Sequence, residues 1–436
     1  MTDKERIKVL DSHPGSGKTS LMIQYINELP EDAKVIYITP FLKECERIQK
    51  SCPNKNFYAP DSKKGRGSKM LNMIDLIQKG KSVVSTHALF GNIDDRLIDA
   101  IRNHDYILIL DEVMNVLEKF DLYKEETKKT EEQKELLTKE DISALLAKGI
   151  ISVDSESCAV EWVNQDEILH KYIQIKNLAD RNMLYLIGTD LLMWSFPIEV
   201  FREGVFDEIY ILTYQFDYQV QAYYYKYFNL EYTTYMVKET TKRKYAAYPV
   251  IDFPDYDREW KAELKELIYI CDNPKLNKIG SYYYDASDRK VTSALCKSWY
   301  DRADKETMKV LIANITNFFQ HYAQSRAGDR MWTCFKADKP KFKNNTFSTK
   351  SWIELNARST NDYADKTAIA YPINRYLNPF FTMFFSKKGI TLDQDNYALS
   401  EMIQWIFRSA IRNGEEISLY IPSERMRNLL VDWLNE

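Results

Sequence analysis

Along the first half of the chain, apolar residues come in short, nearly unbroken runs rather than in a helical or strictly alternating rhythm. The runs are IKVLDS from Ile7, VIYIT from Val35, SVVST from Ser82, YILIL from Tyr106 and LYLIG from Leu184. Runs of this length, rich in branched and aromatic residues, predict strands buried on both faces of a parallel sheet. Helical spacing intervenes at Ser20–Glu28 and Phe41–Lys50, and the alternation predicts an α/β doubly wound core. A second set starts near Asp207 with DEIYILTY and a helix through Tyr225. It continues with strands in DRMWTCFK, SWIELNA, KTAIAYP and EISLYIP, and helices over Lys305–Ala323, Ala398–Arg412 and Glu424–Leu434. The expectation is two α/β domains, 1–205 and 206–436, with parallel sheets. Two tracts break the rhythm. The charged YKEETKKTEEQKELLTKEDISALLAKG and the following IISVDSESCAVEWV read as a small helical and hairpin insertion at about 122–182, and a second insertion is expected at about 238–300.

The first run leads directly into SHPGSGKTS and then a helix. Gly15 and Gly17 allow main-chain N–H groups to wrap a phosphate without Cβ obstruction. The helix start adds free donors and partial positive charge. Lys18 is placed to reach β- and γ-phosphates, and the Thr19 hydroxyl to ligate Mg²⁺. The expected nucleotide-binding set is therefore Ser12, His13, Pro14, Gly15, Ser16, Gly17, Lys18, Thr19 and Ser20, for ATP or another NTP with Mg²⁺. YILILDEVMNV ends a buried run with Asp111 and Glu112. Acids at such a strand end are costly unless they meet a cation. Asp111 is expected to hold the metal, and Glu112 to orient and deprotonate the attacking water.

Composition adds restraint. The 436 residues suggest about two or three domains, and 44% hydrophobic content suffices for buried cores. With a net charge of −4, nucleic acid would have to bind through local patches. Candidates are Thr39–Pro40 and Thr86–His87 at strand ends, which suit phosphates but serve equally as turns and caps. Others are Lys64 and Arg66 in the basic loop KKGRGSK, and Lys341 and Lys343 around Phe342 in KADKPKFKNN. Of the 30 tyrosines, the cluster AYYYKYF reads as core packing ahead of base stacking. Six scattered cysteines without a C-x-x-C pair argue against a disulfide framework or zinc site. The start MTDKERIKVL has no apolar signal core, and no run approaches the ~18 apolar residues of a membrane span. A cytoplasmic location without membrane contact is the expectation.

In order, these stretches resemble the motifs of superfamily 2 helicases and translocases. SHPGSGKT resembles motif I, ITPFLKE motif Ia, STHALF motif Ic, LDEV motif II, LIGTD motif III, NARSTNDY motif V and QWIFRSAIR motif VI. GTD…FPIEVF, LTYQFD and NDYADK are similar to phrases in helicase-like replication proteins of bacteriophages and mobile elements. The resemblance implies two RecA-like P-loop domains and an ATP-dependent motor on nucleic acid, DNA rather than RNA. It implies a monomer rather than a ring, acting in host cytoplasm with replication proteins as possible partners. Arg408, with Arg412, would face the γ-phosphate from the second domain. Thr189, Asp190, Asn361, Asp362 and Gln404 would couple the nucleotide to the strand, and Arg358 would contact nucleic acid. The chain departs from the pattern at Ser12, where the first glycine is usual, and at Phe407, which replaces a glycine. Ile411 stands where the second arginine falls, so Arg412 is one residue out of register. Two alternatives remain: an NTPase that remodels or anneals without unwinding, and a nucleotide-gated loading protein with little turnover.

Overall fold

Strand β1 (Ile7–Asp11) is followed by β2 (Lys34–Thr39), β3 (Val83–Thr86) and β4 (Tyr106–Asp111), all from the expected apolar runs. The computed structural model describes residues 2–120, 139–164, 170–189, 191–252, 257–284, 287–342, 347, 351–355 and 362–436. The chain then forms β5 (Leu117–Lys119), β6 (Ile151–Val153), β7 (Val160–Trp162), β8 (Leu184–Ile187) and β9 (Leu191–Ser195). Next come β10 (Glu208–Thr213), β11 (Thr233–Thr241) and β12 (Lys244–Pro249).

The first sheet has seven strands in the order β12-β11-β1-β10-β4-β2-β3. All pairings are parallel except the closing β11–β12 hairpin. The expected boundary at 205/206 is therefore corrected, because β10 lies inside this sheet, between β1 and β4. Ile209, Ile211 and Leu212 are buried there with no polar face to expose, as a central parallel strand requires. The first domain thus extends through Pro249.

LYLIG is not a strand of that sheet. Gly188, with φ +68°, turns the chain back so that β8 pairs antiparallel with β9, in a three-stranded sheet ordered β5-β9-β8. With the helix Lys139–Ala147 and the β6–β7 hairpin this forms a middle unit. Ile142, Leu145, Val160, Ile175, Leu186 and Leu192 give that unit its own core, so the insertion runs past 182 to include β9.

The second parallel sheet contains β13 (Ile268–Ile270), β16 (Arg330–Trp332), β17 (Ala368–Ala370) and β18 (Ile417–Tyr420), in the order β13-β18-β17-β16. A small hairpin, β14 (Tyr283–Tyr284) with β15 (Lys290–Val291), lies outside it. The expected insertion at 238–300 is thus divided: its start completes the first sheet, and the helix Arg258–Leu267 leads into the second. SWIELNA contributes only a bridge from Trp352 to Trp332. The expected helix Ala398–Arg412 is instead Gln394–Ile406, a turn, and a 3₁₀ segment Ala410–Asn413. Ser409 Oγ donates to the Ile406 carbonyl at 2.7 Å, and Ala410 N is drawn to the Lys366 carbonyl at 2.9 Å, which ends the α-helix.

The two sheets are joined through apolar packing. Helix Pro379–Ser386 drives Phe384 and Phe385 into the first domain's core, with Phe384 stacked on Tyr227 at 4.4 Å and Phe385 against Tyr223. AYYYKYF is accordingly core: Tyr223, Tyr224, Tyr225 and Tyr227 are all buried. No described helix is long and apolar enough to cross a membrane. Because Phe385 belongs to a cluster shared by both domains, Phe385→Ala should cost about 3–5 kcal/mol. Urea unfolding followed by tryptophan fluorescence should show one shifted transition; loss of only one of two resolved transitions would mean that the cores are independent.

Candidate nucleotide site between the two sheets

The loop after β1 turns on Gly15 and Gly17, with φ of +87° and +92°, conformations that a Cβ would strain. The helix Lys18–Glu28 starts immediately after it. Lys18 Nζ donates to the main-chain carbonyls of Ser12 at 2.5 Å and His13 at 3.1 Å, bringing the ammonium to the inner rim of the loop. Burial lowers its pKa to about 8, against the opposing pull of Glu112, Asp11 and Asp111. Ser12 has a structural reason to replace glycine: its Oγ accepts a 2.6 Å hydrogen bond from Val237 N and ties the loop to β11. The His13 ring stacks on Trp260 of the second domain, with centroids 4.3 Å apart and planes 17° apart. Burial pushes His13 down to about 4, so it is neutral at physiological pH.

At the end of β4, Asp111 is buried and its Oδ2 accepts from the Tyr37 hydroxyl at 3.1 Å. Burial, and after it the charge of Glu112, raises Asp111 to about 7. Glu112 has φ +77°, a left-handed conformation that costs a non-glycine residue roughly 1–3 kcal/mol and is concentrated at functional sites. Its main-chain N–H is fixed to the Leu212 carbonyl at 2.9 Å. Between these two strand ends stands Thr213, the last residue of β10, 1% exposed and with its Oγ1 unpaired among the described residues. Asp11 accepts from Gln215 N and Phe216 N at 2.6 and 2.8 Å, which fixes the turn after β10; burial raises its pKa to about 6.

The second domain faces these groups across a cavity of about 330 Å³. Lys18, Thr19, Asp111 and Glu112 line one wall, and Arg408 and Arg412 the other. Pro14, Gly15, Gly17, Ser20, Thr213 and Gln404 also line it. Gln404 Nε2 reaches the Tyr214 carbonyl at 3.4 Å, joining the second domain's helix to the end of β10. Arg408 is 7% exposed and its Nη1 lies 3.4 Å from the Leu355 carbonyl, whereas Arg412 is exposed. Sequence reasoning missed Thr213, Tyr214, Tyr245, Trp260 and the pair Glu44–Arg47 (2.8 Å apart). All but Trp260 line the cavity, and Trp260 backs it through His13.

The remaining expected residues divide sharply. Pro40 and His87 line a second, larger cavity of about 880 Å³ that contains none of the charged groups around Lys18. Thr39 is buried at the end of β2, while Thr86 caps the short helix His87–Phe90, its Oγ1 accepting from Leu89 N at 3.4 Å. Lys64 and Arg66 are exposed on a series of turns and line neither cavity. Lys341 is committed elsewhere: it pairs with Asp338 at 3.0 Å and bonds the Tyr300 carbonyl. Thr189 is an exposed turn residue between β8 and β9, so it cannot couple the two cavities; the antiparallel pairing of β8 removed it from the first sheet. Asp362 pairs with Lys43 at 3.5 Å across the domains, fully in solvent, where such contacts contribute little. Lys343, Arg358, Asp190 and Asn361 lie outside the described residues.

The fold and cleft define a class: a two-sheet α/β protein with a middle unit, in which the carboxyl-edge loops of the first sheet face the segment that leads into β18 of the second. Residues 262–434 match a family described as the YonV C-terminal Rossmann-like domain, and residues 132–194 match the YonV middle domain. The chain is 36% identical over 440 residues to the SPbeta prophage-derived uncharacterized protein YonV of Bacillus subtilis (strain 168), covering 99% of each sequence. The chain belongs to the YonV family.

The carboxyl of Asp111 titrates near 7 in the fold and at an ordinary 3.8 outside it. A raised carboxylate favours folding while neutral, and that contribution is lost as pH rises through about 7. Asp111→Asn keeps the neutral form at every pH. The variant should exceed the native chain by a few kcal/mol at pH 8 and by clearly less at pH 5, the two converging only below about pH 4. Urea denaturation at the two pH values checks this; a gap that does not change with pH would refute it.

Proposed function

We propose that this protein is an NTP-driven motor on nucleic acid, built on two RecA-like domains. The observation that carries the reading is the placing of Lys18, Thr19, Asp111 and Glu112 opposite Arg408 and Arg412 in one cavity. The residues fit a magnesium–nucleotide. The two glycines hold the loop open in left-handed conformations, Lys18 presents an ammonium bonded, among the described residues, to two carbonyls, and Asp111 is an acid that burial and the neighbouring Glu112 hold above the usual carboxylate range. Mg²⁺ commonly takes only one or two protein groups besides phosphate oxygens and water, and Thr19 and Asp111 would be those groups.

The bound metal would neutralise charge on the phosphates. Lys18 and the main-chain N–H groups of the loop hold the β- and γ-phosphates in place. Glu112, its main chain fixed against β10, accepts the proton of the attacking water. Thr213, at the end of the intervening strand, offers its hydroxyl beside that water. Arg408 and Arg412 stabilise the charge on the transferred group from the far wall, so turnover depends on the two domains being closed. The 880 Å³ cavity, with Phe41, Phe120, Trp194 and Phe381 on its walls, supports a strand path beside Pro40 and His87, since aromatic faces stack on unpaired bases.

Phosphate release from Mg-ATP, with and without single-stranded DNA, tests this reading. Glu112→Gln should bind nucleotide but turn over at least 100-fold more slowly. Arg408→Ala and Arg408→Lys should both lower stimulated turnover, on the order of 10³-fold for the alanine, with unfolding midpoints close to native. Native-like turnover in either arginine variant would sink the assignment, and absence of DNA stimulation in the native chain would remove the motor.

A further inference from the structure

Resting on that nucleotide reading, we infer that Tyr245 is the platform on which the nucleobase stacks, and that the base is held by its face rather than read at its edges. Tyr245 comes from β12, the strand added to the first sheet beyond β1 by the β11–β12 hairpin. Its ring lies against the last glycine of the loop: a Cβ on Gly17 would fall 2.1 Å from the ring's Cε1 and 2.4 Å from its Cδ1. Its main-chain N–H donates to Gln24 Oε1 at 3.3 Å, which pins the strand to the same helix two turns on. The ring is therefore laid along the start of the helix Lys18–Glu28, with Gly17 and Ser20 beside it in the cavity wall.

The polarity of the site then follows from the sheet order. The catalytic carboxylates lie on β4, on one side of β1, and the hairpin lies on the other. A phosphate chain lying between Lys18 and Asp111 has its reactive end toward β4 and its nucleoside end toward β12, where Tyr245 lies half-buried. A flat aromatic group stacks well on a phenol face, and every base offers one. Edge reading would need free donors and acceptors there. Gln24 Oε1 accepts from Tyr245 N, which commits that side chain to the strand, and Ser20 offers a single short hydroxyl beside the ring, too little to tell one base edge from another. Adenine and guanine nucleotides should bind with similar affinity, both well above inorganic pyrophosphate.

Calorimetric titration of the full chain with ADP, GDP and pyrophosphate, each with Mg²⁺, tests the inference. The native chain should bind ADP and GDP within about fivefold of each other. Tyr245→Ala should weaken both by about ten- to a hundredfold and leave pyrophosphate unchanged, while Tyr245→Phe should keep native affinities. If Tyr245→Ala leaves the ADP-to-pyrophosphate ratio native, or weakens pyrophosphate equally, the stacking role is overturned. A preference between ADP and GDP above a hundredfold would overturn face-only recognition. Lys18→Ala separates this from the underlying reading. If that variant binds ADP and pyrophosphate as the native chain does, or if the native chain binds neither, the nucleotide site itself falls, and the platform with it.

Discussion

Burying charge of both signs at the carboxyl ends of neighbouring parallel strands is the constraint on which the rest of the structure depends. Asp11 and Asp111 are both raised by burial and Lys18 is lowered by it, so each is held at a cost that an isolated site would shed. The surrounding main chain offsets part of that cost. Asp11 takes two N–H donors from the turn after β10, and Lys18 takes two carbonyls from the loop before it. Asp111 takes one hydroxyl, from Tyr37, and stands beside the like charge of Glu112, and the second domain brings guanidinium groups to that side. The cleft is thus polar at its centre, and the cores are joined separately by Phe384 and Phe385.

How much of this was legible depends on whether the information is local. The glycine loop and the acidic pair were visible because strand, turn and helix start are contiguous, and their residue types are dictated by backbone geometry within nine positions. Strand order is not local. LYLIGT and YILTY carry the same signal, an apolar run closing on a threonine, and nothing within either run says which of them pairs with β1. The structure places YILTY there, so the threonine beside the acidic pair is Thr213, while Thr189 turns a hairpin in the middle unit. The choice is made by pairing partners two hundred residues away, such as Val9 with Ile211.

The arginines show a different limit. Both fall within the expected helix Ala398–Arg412, yet the helix stops at Ile406 because Ser409 and Ala410 find other partners. Both side chains still reach the cavity, because a 3₁₀ turn advances the chain differently from an α-turn. A position one residue out of register on an ideal helix is therefore not displaced in space once the helix has ended. Tyr245 had no sequence signal linking it to the loop; only the fold-back of the β11–β12 hairpin brings it to Gly17.

The back of the cleft also shows how its two walls are mechanically joined. His13 in the loop stacks on Trp260, and Trp260 packs against Tyr214, Phe407 and Trp433 at 5.9, 5.1 and 5.7 Å. One indole therefore touches the phosphate loop, the residue after Thr213 and the residue before Arg408. The loop and the segment that carries Arg408 are thus linked through a single ring. The neutral state of His13 suits this, since a protonated imidazole in that buried stack would add a second cation beside Lys18. The Phe384–Phe385 packing joins the two domains at a second place.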